Sequence, residues 1–146
     1  MPAIREVLAV SIALHGIAHL IAFGAILVHL AGIRTPWVIL GTWMRSSLTI
    51  RQAAAIAAPF WLVSSLSFLA SAAGVQGWST AGVTWRTLAI LGACVSLVGM
   101  SLFPGAWPGA RTRRRSLLNT SIAAFMNLVL LIVIGLLRWP LPALSG

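Results

Sequence analysis

The sequence predicts an all-α, polytopic integral membrane protein: one domain over residues 1–146, folded as an antiparallel bundle of four transmembrane helices. Three observations predict it. The chain is 60% hydrophobic and only 8% charged, with a mean hydropathy of +1.01, far too apolar for a soluble domain of 146 residues. Four apolar runs, at roughly 7–31, 53–73, 87–103 and 117–137, each approach the ~20 residues a helix needs to cross the hydrocarbon layer. Tryptophans cluster at the ends of these runs, where indole rings favour the headgroup region: Trp37, Trp43 and Trp107 on one side, Trp78, Trp85 and Trp139 on the other. Trp61 alone lies well inside a run.

The first run, at about 25 residues, is too long for the apolar stretch of a secretory signal and has no clear small-residue cleavage site after it, so it is expected to remain as a span. Residues 1–6 read as a polar lead-in holding Glu6, the one acidic residue, in the first helical turn, where a carboxylate complements the helix dipole. No carboxylate is left for an antiporter built around a mid-membrane Glu. Gly32 and Pro36 end the first helix, and the long connection 32–52 carries an apolar stretch, Pro36 to Met44, expected to lie in the headgroup region.

The second helix contains Pro59, which removes one backbone hydrogen bond and predicts a kink. Its Ser64, Ser67 and Ser71 share a face with Ala57 that should look inward. Residues 74–82 form a short, turn-rich connection, making the second and third helices antiparallel neighbours. The third helix has a stripe of small residues, Ala89, Gly92, Ser96 and Gly99, that lets another helix approach closely. Cys94 points away from that stripe and, being the only cysteine, excludes an internal disulfide. The fourth helix carries Ser116, Asn119, Thr120, Ala123 and Asn127 on one face, before Arg138, Trp139 and Pro140 end it.

The formal charge of +9 comes entirely from arginine. These arginines flank apolar runs, so anionic lipid headgroups are nearer partners than nucleic acid, with Arg111, Arg113, Arg114 and Arg115 as the main headgroup cluster. Arg34, Arg45, Arg51 and that cluster outweigh Arg5, Arg86 and Arg138. The positive-inside rule therefore places loops 32–52 and 104–115 in the cytoplasm and both termini outside. The absence of lysine beside abundant Ala and Gly suggests a GC-rich bacterial genome, hence a bacterial inner membrane.

All three histidines fall on the first helix. With His15 at zero, His19 lies at about +40° and His29 at about −40° on a helical wheel. His29 is about 15 Å from His19 along the axis, too far to share a small ligand. The pair His15 and His19 is therefore the candidate site, on a face kept small around them by Ser11, Ala18 and Ala22. By depth within the runs, His19, Ser64, Ser96 and Asn127 fall at one mid-membrane level and form a candidate polar layer.

Three chemistries suit such a pair. Imidazoles four residues apart can both reach one transition metal, His15 and His19 being its ligands, with Cys94, Met100, Met126 or a second chain completing the shell. One His can ligate haem iron, although two on one helix cannot sit on opposite faces of one haem. The third option is a hydrogen bond or proton relay to a quinone-like headgroup. The opposing expectation is that the pair only hydrogen-bonds across helix interfaces.

The pattern Arg5, nine residues, then His15-Gly16-x-x-His19-Leu20 resembles the opening helix of DoxX-like membrane proteins, which have an Arg-containing segment followed by a Gly-x-x-Lys-Leu type motif. The resemblance covers Arg5 to Leu20, with His19 standing where that family's Lys is expected. It implies a four-helix bundle serving respiratory or sulfur-related redox chemistry. The leading expectation is a small redox-associated membrane subunit whose His15, His19, Asn127, Ser64 and Ser96 surround the cofactor, homo-oligomeric or part of a larger complex because the small stripe of the third helix and the polar face of the first cannot all be met by one neighbour. The alternatives are an assembly protein whose polar layer fixes packing, and a small lipid or solute transporter.

Overall fold

The structure, a computed structural model, describes residues 2–33, 48–78, 83–103 and 113–138. The described residues are helical throughout their regular parts: α1 (Pro2–Leu30), α2 (Ile50–Val75), α3 (Trp85–Leu102) and α4 (Arg113–Leu130), which continues as a π-helix over Leu131–Leu136. All four are long and apolar enough to cross a membrane. The interfacial stretch expected at Pro36 to Met44, four of the end tryptophans and Arg111 lie outside the described residues.

The helices are longer than hydropathy alone marks, because their ends are made of polar caps. Residues 2–6 are not a lead-in: Pro2 occupies the first helical position, which needs no N–H, and Glu6 is exposed one turn further in than expected. Thr49 and Gln52 form a reciprocal capping box, with the Gln52 N–H donating to Thr49 Oγ1 (3.2 Å) and the Thr49 N–H donating to Gln52 Oε1 (2.9 Å). That box starts α2 three residues before its apolar run. At the other end of α1, Gly32 takes φ +78°, while the Ile33 N–H bonds the Val28 carbonyl and the Gly32 N–H bonds that of His29. This is a Schellman cap, which needs a residue tolerant of the left-handed region.

Arginines supply further caps that the sequence did not announce. Arg5 donates to the Val75 carbonyl at the end of α2, Arg51 to the Leu30 carbonyl at the end of α1 (2.9 Å), and Arg86 to the Arg138 carbonyl after the π-helix (2.9 Å). Each cation meets the negative end of a neighbouring helix, where orphan carbonyls gather.

Packing runs in chain order, α1 on α2, α2 on α3, α3 on α4. The seam between α1 and α4 has few close backbone approaches. The small stripe of α3 faces α2 inside the same chain: a Cβ at Gly92 would stand 3.1 Å from the Phe68 ring, and one at Gly99 would stand 2.8 Å from Phe60 Cβ. The stripe and the polar face of α1 are thus both met within one chain, which removes the reason for expecting an oligomer from them. α2 runs unbroken through Pro59, which sits on its exposed side. Ala57, Ser64, Ser67 and Ser71 are buried, as their shared face requires.

Two apolar cores stack along the bundle axis. One gathers Ile12, Phe68, Ala89 and Ile134; the other gathers Ile26, Trp61, Met100 and Phe103. Each helix places buried or half-buried polar residues between them, His15 and His19 on α1, Ser64 and Ser65 on α2, Ser96 on α3 and Asn127 on α4, while Ser71 and Ser116 are buried further along their helices. The outer surface is apolar, with Val10, Leu14, Ile21, Leu66, Phe125 and Leu136 all exposed.

Candidate functional site: a hydrogen-bonded ring between two cores

Four side chains from three helices close into one ring. His19 Nδ1 lies 3.0 Å from the His15 carbonyl, and His19 Nε2 lies 2.7 Å from Ser96 Oγ. Asn127 Nδ2 donates to Ser96 Oγ and to the Ala123 carbonyl, each at 2.9 Å. Asn127 Oδ1 then faces His15 Nε2 at 3.0 Å. His19, Ser96 and Asn127 are fully buried, whereas His15 is half-buried.

The partners dictate where every hydrogen sits. A carbonyl only accepts, so His19 must carry its hydrogen on Nδ1, and in a neutral ring Nε2 is then an acceptor for the Ser96 hydroxyl. The Ala123 carbonyl likewise fixes the Asn127 amide with its nitrogen on that side. Oδ1 must therefore face His15, and His15 Nε2 must be the donor. The chain of bonds runs in one direction, from His15 Nε2–H through Asn127 and Ser96 to His19, and back to the His15 backbone. In neutral His15 this leaves Nδ1 as a lone-pair acceptor, and it has no hydrogen-bond partner among the described residues.

Aromatic rings hold the pair in place. The two imidazoles meet edge to face at 4.8 Å, and Phe68 lies under both, at 4.7 Å from His15 and 5.4 Å from His19. Trp61 closes the far side of His19 at 5.9 Å. Phe68 reaches that position because α1 and α3 both present glycine to it, Gly16 and Gly92, and Ser65 Oγ ties the two helices by donating to the Gly16 carbonyl (2.9 Å). Neither Phe68 nor Ser65 carries a signal of this role in the sequence beyond its spacing. Of the sequence-derived layer, His19, Ser96 and Asn127 are brought into contact, whereas Ser64 is buried but its Oγ takes no part in the ring and has no hydrogen-bond partner among the described residues.

On the α1–α4 seam, His15 lines an open cleft of about 220 Å³ with Ala18, Asn119, Ile122, Ala123 and Met126. The Asn119 side chain is half-buried and makes no hydrogen bond among the described residues. His15, with one uncommitted ring nitrogen, and Asn119, with an uncommitted amide, are the polar members of the cleft lining, beside exposed Ile122 and Met126.

Among the described residues the ring leaves the histidine pair one uncommitted nitrogen, His15 Nδ1. Both nitrogens of His19 are engaged, and among the described residues no group of three His, Cys, Asp or Glu stands close enough to hold an ion. Of the side chains expected to complete a metal shell, Cys94 is exposed, Met100 belongs to the other core, and Met126 lines a cleft with His15. His15 Nε2 is engaged by Asn127. His29 stands in the last turn of α1, apart from the ring.

Arg114 and Arg115 are exposed in the first turn of α4, against the dipole of their own helix. Comparison of the chain with models of protein families, with curated proteins and with solved structures finds no match.

Proposed function

We propose that the protein is a multi-pass protein of a bacterial inner membrane that binds the headgroup of a quinone-like lipid in the cleft between α1 and α4, as a small subunit associated with redox chemistry. The observation that carries this reading is the free Nδ1 acceptor of His15 in a small cleft that opens on an apolar, membrane-length surface. A membrane-dissolved ligand enters such a cleft sideways, leaving its tail among lipid chains. Asn119 supplies a second polar contact, while His19, Ser96 and Asn127 hold His15 in position. The chain's own chemistry here is binding and orientation. Arg111, Arg113, Arg114 and Arg115 meet anionic headgroups on the cytoplasmic side, which for Arg114 and Arg115 offsets their unfavourable place in the first turn of α4. Both termini then lie outside.

The test is the thermal stability of the protein in lipid nanodiscs against a short-chain benzoquinone/quinol mixture. Ligand that binds the native state raises the melting temperature in the wild type, and His15→Phe abolishes the rise. An equal rise in both sinks the reading. A second reading, an assembly protein whose polar layer only fixes helix packing, is favoured by the closure of the ring: the side-chain polar groups of His19, Ser96 and Asn127 are already engaged within the chain. It expects no ligand effect at all.

A further inference from the structure

The direction of the hydrogen-bond ring has a consequence at its open end. While neutral, His15 cannot turn Nδ1 into a donor without giving up the hydrogen on Nε2, because a neutral imidazole carries only one. Giving it up would place a lone pair against Asn127 Oδ1, itself an acceptor at 3.0 Å. Relief by rotating the Asn127 amide would break both bonds that Nδ2 makes, to Ser96 Oγ and to the Ala123 carbonyl. Ser96 in turn is committed by His19, whose tautomer is held by a backbone carbonyl that cannot change role. The acceptor character of His15 Nδ1 is thus enforced by four successive contacts ending on the main chain.

An acceptor in an apolar cleft discriminates between ligands. A hydroxyl donates to it, whereas a carbonyl oxygen brings a second lone pair against it, and both groups then lose water or lipid-headgroup contacts without compensation. Asn119 does not add to the distinction, since an amide donates and accepts equally well. We infer that the cleft takes the reduced, hydroxyl-bearing form of its ligand, a quinol or phenol-type headgroup, in preference to the oxidised dicarbonyl form. This rests on the headgroup reading above and sharpens it: the site is a receptor for the reduced form, with His15 as the recognising group.

The experiment uses the full chain in nanodiscs and three probes of matched shape: a short-chain benzoquinone, its quinol kept under reducing conditions, and the dimethyl ether of that quinol. The quinol is expected to bind about tenfold or more tightly than either of the others, the loss that accompanies one unmade buried hydrogen bond. The imidazole nitrogen resonance of His15 Nδ1 should shift with quinol and stay unmoved with the ether. Asn119→Ala should weaken quinol and quinone alike and leave their ratio standing. Quinone binding as tightly as quinol, or ether matching quinol, overturns the inference while the headgroup reading survives. Loss of the preference in Asn119→Ala overturns it too, by moving the discrimination off His15. Failure of all three probes to bind removes the headgroup reading, and this inference falls with it.

Discussion

Replacing Asn127 by leucine removes the ring's central joint while keeping the same branching and number of side-chain heavy atoms, so the cost reports lost hydrogen bonds and some crowding rather than a cavity. Asn127 is fully buried and makes two bonds to other helices, with His15 of α1 and Ser96 of α3, besides one to its own α4 backbone. Cross-helix bonds in membrane proteins average about 0.6 kcal/mol and reach about 1.7 kcal/mol. Two of them give about 1–3 kcal/mol. The effect should concentrate on α4, because α1 and α4 have few close backbone approaches and the His15–Asn127 bond bridges their seam. Reversible unfolding in mixed micelles, followed by tryptophan fluorescence and helix signal, measures it. Ser116→Ala is the matched control. Ser116 is equally buried, but its hydroxyl has no partner among the described residues, so its loss should cost less than about 0.5 kcal/mol or stabilise. If Asn127→Leu proves as harmless as Ser116→Ala, the ring does not hold the bundle together.

Other perturbations probe the packing. Gly99→Ala places a methyl 2.8 Å from Phe60 Cβ and must push α2 from α3, costing about 1–3 kcal/mol in the same unfolding assay. Gly24→Ala, with nothing within 4 Å, should instead gain about 0.4–1 kcal/mol from reduced unfolded-chain freedom. No penalty at Gly99 would refute the α2–α3 interface described, and a penalty at Gly24 would refute the open space beside that position of α1. Exposed Cys94 should react in intact vesicles with an apolar, membrane-soluble maleimide and ignore a charged one until the protein is denatured. Rapid labelling by the charged reagent would place that face of α3 in water. A protease-sensitive tag at the C-terminus should be cut from outside while the Arg-rich loop is protected; the reverse pattern contradicts the orientation.

How much of this the sequence carried depends on which physical signal each feature leaves. Hydropathy marks spans, and it found all four helices long enough to cross a membrane. It undershot their ends because Thr49, Gln52 and Pro2 begin helices through caps, which are polar and short-range. Helical periodicity assigns faces, so the burial of Ser64, Ser71, Ser96 and Asn127, and the inward turn of the small stripe on α3, could be read from spacing. Periodicity does not say which neighbour a face meets. Hence the stripe suggested a second chain when it meets Phe60 and Phe68 of α2, and Ser64 was grouped with a ring it does not join. The decisive distinction, His19 closed and His15 open, depends on individual ring nitrogens and on the Ala123 carbonyl. No residue pattern encodes those. The π-helical turn after Leu130 was equally silent, since its residues are as apolar as those of any span.

The central claim, a one-directional ring that leaves His15 Nδ1 as an open acceptor, is tested most directly by the imidazole nitrogen spectrum of ¹⁵N-histidine-labelled protein in lipid bilayers. Two different neutral tautomers are expected side by side: His19 with its hydrogen on Nδ1 and His15 with its hydrogen on Nε2. The same tautomer at both residues, or a hydrogen on Nδ1 of His15, would contradict it.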